Sequence, residues 1–324
     1  MTDFFFEIPG NPVPDNASGG FFRTPDGFRL RYACFAPNEA PSRGTVIVLS
    51  GRNECIEKYF ETIRDLAGMG LGSAIMDWRG QGASDRLMRD PMRGHVVSFD
   101  DYVADLRQFF AEIVERDCPG PYFVLAHSTG SLIALMAAPS FAGKVRRMVL
   151  VAPFLGASGL PLSTKNIKRL MNVFYWVGIR RLYAFGGKRP PGPPLFSTNK
   201  LTTDEARFQR NTLLYLTHPG LALGGPTVSW VRAAAIASEK VQDPAFIAGF
   251  KIPSLFIAAG ADEVVSTEAI EDYARRLKTA SLITIDGSRH EILQEADLYR
   301  EQLLAAFNAF VPGSGAEQSE KVSA

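Results

Sequence analysis

The sequence predicts an α/β protein with a mostly parallel central sheet, helices on both faces and a helical insertion late in the chain. Three observations carry this. Strand-length apolar runs alternate with segments of helical period, the order that builds a parallel sheet through crossover helices. Runs such as Thr45-Val46-Ile47-Val48-Leu49 are apolar at successive positions, as strands covered on both faces require. One run, Tyr122-Phe123-Val124-Leu125, gives way at Ser128 to the apolar stretch Leu132-Ile133-Ala134-Leu135-Met136-Ala137-Ala138.

In chain order, Asp26-Gly27 predicts a turn and Phe28 to Phe35 a strand. Thr45 to Leu49 is a second strand and Ile56 to Leu66 a helix. Ser73 to Met76 is a strand that ends at Asp77. From Phe99 to Val114, Tyr102, Leu106, Phe109, Phe110 and Ile113 recur at helical intervals. The strand and helix around Ser128 follow, then a strand from Met148 to Ala152. After a long interruption come a strand at Ser254 to Ala258, a helix near Ala269 to Leu277, a strand at Leu282 to Ile285 and a helix from about Ala296 to Phe310. The interruption contains Arg189-Pro190-Pro191-Gly192-Pro193-Pro194 and several helical stretches. The chain therefore divides into a core (1–153), a helical cap insertion (154–250), the rest of the core (251–311) and a Gly/Ser/Glu-rich tail (312–324) expected to be disordered.

At 324 residues, 46% hydrophobic and 21% charged, the chain suits one large globular domain with an insertion. A net charge of +1 gives no global field for nucleic acid, and none is expected as a partner. The charge is uneven: from Cys118 to Thr203 there is no Asp or Glu. Cys34, Cys55 and Cys118 lack metal-ligand spacing and suggest buried thiols in a reducing compartment. No basic residue precedes Phe4-Phe5-Phe6, so no signal peptide is expected, and no apolar run approaches spanning length. A cytoplasmic protein is the expectation, and neither metal nor organic cofactor is implied.

A strand, a tight turn bearing a Ser, then a helix is the context of a nucleophile elbow. The turn needs small residues two before and two after the Ser, and Ala126 and Gly130 supply them. A serine hydroxyl is a weak nucleophile at neutral pH and needs a base, which in turn needs an orienting acid. Of four His, only His218 and His290 follow Ser128. His290 lies in a loop just past a predicted strand, where a base belongs, while His218 falls inside the insertion. Asp262 follows the strand before, behind Gly260. Asp286 and Glu263 are its rivals, Asp286 being only four residues from His290. Two backbone N–H groups are needed for the oxyanion. Thr129 offers one, and Arg52, in Ser50-Gly51-Arg52-Asn53-Glu54, the other; lining the entrance is the alternative for the Arg52 side chain. Asp77-Trp78-Arg79-Gly80-Gln81-Gly82 lacks the Lys-Ser/Thr start of a phosphate loop. Its expected task is structural, with Arg79 joining neighbouring loops.

With these segments, Gly260-Ala261-Asp262, His290-Glu291 and Ala222-Leu223-Gly224-Gly225-Pro226-Thr227, the chain resembles the serine α/β-hydrolases of the monoacylglycerol lipase and lysophospholipase group. Within it, the chain is most similar to the bacterial lysophospholipase L2 type. The resemblance runs from about Gly27 to Phe310. It implies the α/β-hydrolase fold, with Ser128 as nucleophile, Asp262 as acid and His290 as base. It also implies a carboxylic ester hydrolase acting on acyl glycerol lipids through an acyl-enzyme. Ser50 and Ser131 stand where relatives commonly carry His and Gly, which bears on substrate preference. The alternatives are an esterase, lactonase or amidase on a smaller substrate, or a non-enzymatic receptor.

Between Ile167 and Tyr183, Leu170, Met171, Val173, Phe174, Tyr175, Trp176, Val177 and Ile179 are flanked by Lys165, Lys168, Arg169, Arg180 and Arg181. Such a segment can lie in a membrane interface, or line an acyl tunnel while its cations meet phosphate. A cap helix packed on the core with solvated charges is the other reading.

Overall fold

The computed structural model describes residues 4–38, 42–159, 163–188 and 192–311. The expected tail and Arg189-Pro190-Pro191 lie outside the described residues. Eight strands form one sheet: β1 (Ala17–Arg23), β2 (Arg29–Phe35), β3 (Thr45–Leu49), β4 (Gly72–Met76), β5 (Tyr122–His127), β6 (Val145–Val151), β7 (Ser254–Ala259) and β8 (Ala280–Ile285). Their order across the sheet is β1-β2-β4-β3-β5-β6-β7-β8. Strands β3 to β8 run parallel, while β2 is antiparallel to both β1 and β4. The predicted α/β-hydrolase fold with a mostly parallel sheet is the one observed.

Strand β1 escaped the sequence reading. It is an edge strand with Gly19 and Gly20 inside and only Phe22 buried, so it carries almost no apolar signal.

The continuous apolar character of the central strands follows from two cores. Ile47 and Leu49 of β3 and Val124 and Ala126 of β5 enter one; Val46, Val48, Phe123 and Leu125 enter the other. Helix α1 (Phe60–Gly68) follows a 3-10 turn at Ile56–Tyr59. Helix α2 (Phe99–Phe109) runs through a wider π turn at Phe110–Val114 into the short α3 (Glu115–Asp117), and α4 is Thr129–Phe141. The first core lies under α2 and α4, with Tyr102, Leu106, Leu132 and Leu135 fully buried.

Between β6 and β7 the chain forms α5 (Thr164–Phe174) with a π turn at Tyr175–Ile179, α6 (Glu205–Thr217), α7 (Val228–Gln242) and α8 (Pro244–Gly249). This stretch is not uniform. Helix α7 puts Trp230, Ala233, Ala234, Ala237 and Val241 into the first core, with Trp230 edge-on to Phe99 at 5.6 Å. Helix α5 packs on α7 and buries only Met171. Helix α9 (Thr267–Arg276) joins the first core, and α10 (Asp297–Phe310) with α1 covers the second through Phe60, Ile63, Leu303 and Phe307. Ser128, Asp262 and His290 all lie just past the carboxyl ends of parallel strands, where open α/β sheets bind ligands.

Candidate active site

Ser128 joins β5 to α4 with φ 51° and ψ −115°, a backbone region that costs energy for a residue with a Cβ. Packing enforces the bend. A Cβ on Gly130 would lie 2.3 Å from the Leu49 carbonyl oxygen, so α4 presses on the end of β3 as only Gly permits. The Ser131 hydroxyl, in the position noted as a departure, donates to the Ala126 carbonyl at 2.8 Å and ties the helix start to the strand.

The Ser128 hydroxyl donates to His290 Nε2 at 3.0 Å. On the other side of the ring, Nδ1–H donates to Asp262 Oδ2 at 2.8 Å, which fixes the tautomer. Asp262 Oδ1 accepts the N–H groups of Val264 and Val265 at 2.7 and 2.9 Å. All three side chains are buried. The rivals lie elsewhere: Asp286 is exposed, and Glu263 pairs with Lys200 at 3.0 Å on the surface. His218 points its Nε2 at the Glu7 carbonyl and packs on Phe6. Thr129 opens α4, so its N–H has no partner one turn back, and it shares the cavity wall with Arg52 and Ser128.

Beneath the loop after β3 sits a charged cluster to which the sequence reading gave no role. The buried Glu54 carboxylate accepts from Gly51 N–H, from Tyr59 Oη–H at 2.6 Å and from Lys58 Nζ at 2.8 Å. Lys58 also donates to Glu291 Oε1 at 2.6 Å. His127 Nδ1 lies 3.3 Å from the Glu54 carboxylate, and Nε2 lies 3.2 Å from the His290 carbonyl. Both neighbours of that imidazole are acceptors, so both ring nitrogens donate. Burial alone would lower the His127 pKa, but Glu54 overrides it and raises the value above its ordinary 6.5. Burial likewise pushes Glu54 upward, and Lys58 with His127 holds it well below the usual carboxylate range. The available signal was a Glu54–Lys58 pair one helical turn apart amid the apolar Cys55, Ile56, Tyr59 and Phe60.

Arg79 pairs with Asp26 of the loop before β2 at 2.8 Å, as expected, but its other partner, Asp105 at 2.5 Å, belongs to helix α2 rather than to a loop. Burial pushes the Asp105 carboxyl up to about 6, against the pull of Arg79.

Ser128 opens on a cavity of about 860 Å³, within the range that encloses small-molecule ligands. Its apolar wall includes Ile167, Leu170 and Met171 of α5, Phe208 of α6, Trp230 of α7, and Phe154. Past the cavity, Val173, Trp176 and Val177 point outward with 57%, 78% and 65% exposure. The acid-free basic stretch is not wholly unpaired, because α7 supplies Glu239 to Lys168. Among the described residues no helix is long and apolar enough to cross a membrane.

Residues 40–297 match the serine aminopeptidase S33 family, Hydrolase_4. The chain is 34% identical to lysophospholipase L2 of Escherichia coli strain K12 over 294 residues, 85% of this chain and 83% of that protein. It is 32% identical to the monoglyceride lipase of Homo sapiens over 146 residues, 45% of each chain. In shape it is similar to a soluble variant of monoglyceride lipase from Saccharomyces cerevisiae, with a TM-score of 0.72, 17% identity, and coverage of 91% of this chain and 95% of that one. With a buried Ser–His–Asp chain at the carboxyl edge of a parallel sheet and a family match across most of its length, the chain belongs to the serine aminopeptidase S33 family of α/β-hydrolases.

Proposed function

We propose that the protein is a carboxylic ester hydrolase that releases the acyl chain of a monoacyl glycerol lipid, a lysophospholipid or monoacylglycerol. The observation that carries this is the hydrogen-bonded line from Ser128 through His290 to Asp262, opening on a mostly apolar cavity of about 860 Å³. In this reading Ser128 Oγ attacks the ester carbonyl while His290 Nε2 takes its proton. The Asp262 carboxylate holds the ring in place and stabilises the imidazolium. The amides of Thr129 and Arg52 receive the oxyanion, each supplying about 3–4 kcal/mol of barrier reduction. His290 returns the proton to the departing glycerol oxygen. Water, activated by the same imidazole, then releases the acid from Ser128.

The segment from α5 to α6 acts as the cap of this reading. Its inner face receives the acyl chain, and Val173, Trp176 and Val177 touch the lipid surface from which the substrate comes. A cytoplasmic location, where Cys34, Cys55 and Cys118 stay thiols, belongs to the same reading. Each methylene buried adds about 0.8 kcal/mol, or roughly fourfold in kcat/KM.

The test combines fluorophosphonate labelling with an ester series from acetyl to long-chain monoacyl lipids. Labelling lost in Ser128→Ala and kcat/KM rising with chain length support the reading. A preference for acetyl esters would replace it with a general esterase whose cap is only a lid. No labelling of a folded wild type would point to a receptor.

A further inference from the structure

Arg52 stands in the cavity wall with no counter-ion among the described residues. Its Nη2 donates to the Gly224 carbonyl, and its guanidinium carbon lies 5.4 Å from the centre of the Trp230 ring. Its Nε is buried with no hydrogen-bond partner. Among the described residues no carboxylate pairs with it, and the polar side chains beside it are the neutral phenols of Tyr102 and Tyr183. Burial draws its pKa down to about 10, which leaves it a cation at neutral pH.

The three most deeply buried guanidinium groups among the described residues are held by carboxylates, while Arg86, like Arg52, meets only backbone carbonyls. Arg31 is held by Glu57 and Asp77, Arg79 by Asp26 and Asp105, and Arg300 by Asp65. Among the described residues the other cations on the cavity wall are Lys58, bound by Glu54 and Glu291, and His127, beside Glu54, so those two carboxylates are already engaged. A buried cation without a partner is costly. That cost is repaid where a ligand brings the opposite charge, and a guanidinium fork suits the paired oxygens of phosphate.

We propose that the Arg52 side chain is a binding subsite for the phosphate of the substrate's glycerol headgroup. The proposal rests on the ester hydrolase reading and sharpens it, because it makes a phosphate-bearing lysolipid the preferred substrate over a neutral monoacylglycerol. A fatty acyl chain carries no charge along its length, so the anion that meets Arg52 belongs to the alcohol side of the ester. One residue then serves the two halves of the substrate. Its amide faces the reacting carbonyl, and its guanidinium, near Gly224 and Trp230, takes the headgroup.

The experiment compares wild type, Arg52→Met and Arg52→Lys on a 1-acylglycerol and on the 1-acylglycerol 3-phosphate of the same chain. The readout is the ratio of the two kcat/KM values, which is insensitive to a loss common to both substrates. Wild type favours the phosphorylated lipid. In Arg52→Met the ratio falls about tenfold or more, the effect of losing one hydrogen bond to a charged group, and the loss appears in KM. Arg52→Lys retains part of the preference. Glycerol 3-phosphate inhibits hydrolysis of a soluble nitrophenyl ester by wild type and loses that inhibition in Arg52→Met. A ratio near one in wild type, or a ratio unchanged by the substitution, overturns the proposal and leaves Arg52 as a tie to Gly224 and Trp230. Inhibition by free fatty acid that depends on Arg52, with none by glycerol 3-phosphate, also overturns it. If Arg52→Met does not fold, the Arg52→Lys ratio and glycerol 3-phosphate inhibition of wild type decide. If wild type cleaves short esters and neither lipid, the lipid reading fails, and the glycerol 3-phosphate measurement still judges the subsite.

Discussion

Replacing Glu54 by Gln keeps the shape of the side chain and removes its charge. The carboxylate receives Gly51 N–H, Tyr59 Oη–H, Lys58 Nζ and His127 Nδ1. An amide has one acceptor oxygen. If that oxygen stays at the Oε2 position it keeps Gly51, Tyr59 and His127, and the NH₂ that replaces Oε1 faces Lys58, donor against donor. The hydrogen bond from Lys58 is lost and the one from His127 loses its charged acceptor, where a hydrogen bond to a charged group contributes about 1.5–3 kcal/mol. Lys58 keeps Glu291 at 2.6 Å, which softens the loss. The expected destabilisation is about 3–5 kcal/mol, the range for breaking a buried ion pair.

The pH dependence has a defined sign. Glu54 is held below its ordinary value of 4.5, so its contribution is present above that pH and is lost as pH falls through the folded value. His127 is raised above 6.5, so its contribution is present below 6.5 and is lost as pH rises through the folded value. The gap between wild type and Glu54→Gln is therefore widest between pH 4.5 and 6.5 and narrows on the alkaline side. Urea unfolding followed by tryptophan fluorescence at acid, neutral and alkaline pH measures it. A gap below about 1 kcal/mol, the level of an ordinary surface change, or a gap that stays constant from mildly acid to alkaline pH, would refute the reasoning.

Three further outcomes are expected. Asp262→Asn should unfold like wild type yet lose about 10⁴-fold in turnover, while Asp286→Asn, at an exposed site, should change little; the reverse result transfers the acid to Asp286. Gly130→Ala drives a Cβ into the Leu49 carbonyl, so labelling at Ser128 should vanish and stability should fall by about 1–3 kcal/mol; an active, stable variant would show that the elbow can relax. Trp176→Ser with Val177→Ser should lower hydrolysis of vesicle-borne substrate more than hydrolysis of a soluble ester, and equal losses on both would remove the exposed cap residues from lipid contact.

The central strands were legible because both faces bury apolar side chains, so β3 and β5 carry unbroken runs of them. The elbow was legible because its geometry demands small residues at fixed offsets, and Ala126 and Gly130 meet that demand locally. Strand β1 was not, since an exposed edge paired through its backbone asks little of its side chains. The cluster of Glu54, Lys58, His127 and Glu291 was out of reach for another reason. Lys58 and Glu291 are 233 residues apart, and nothing in either local segment announces the other. Lys168 shows the same limit: a stretch without acids in sequence receives Glu239 from another helix in space.

The position of α5 to α8 between β6 and β7 also governs when the site can exist during synthesis. Ser128 and its strand emerge early, but β7 and β8 follow an excursion of roughly a hundred residues and must then pair in parallel beside β6. Such distant pairings form late and slowly. Until they form, Ser128 has neither Asp262 nor His290 within reach, and the nascent chain is chemically silent. A ribosome-bound fragment ending before β8 would therefore hold an assembled elbow with no activity, and hydrolysis would begin only when the last quarter of the sheet docks.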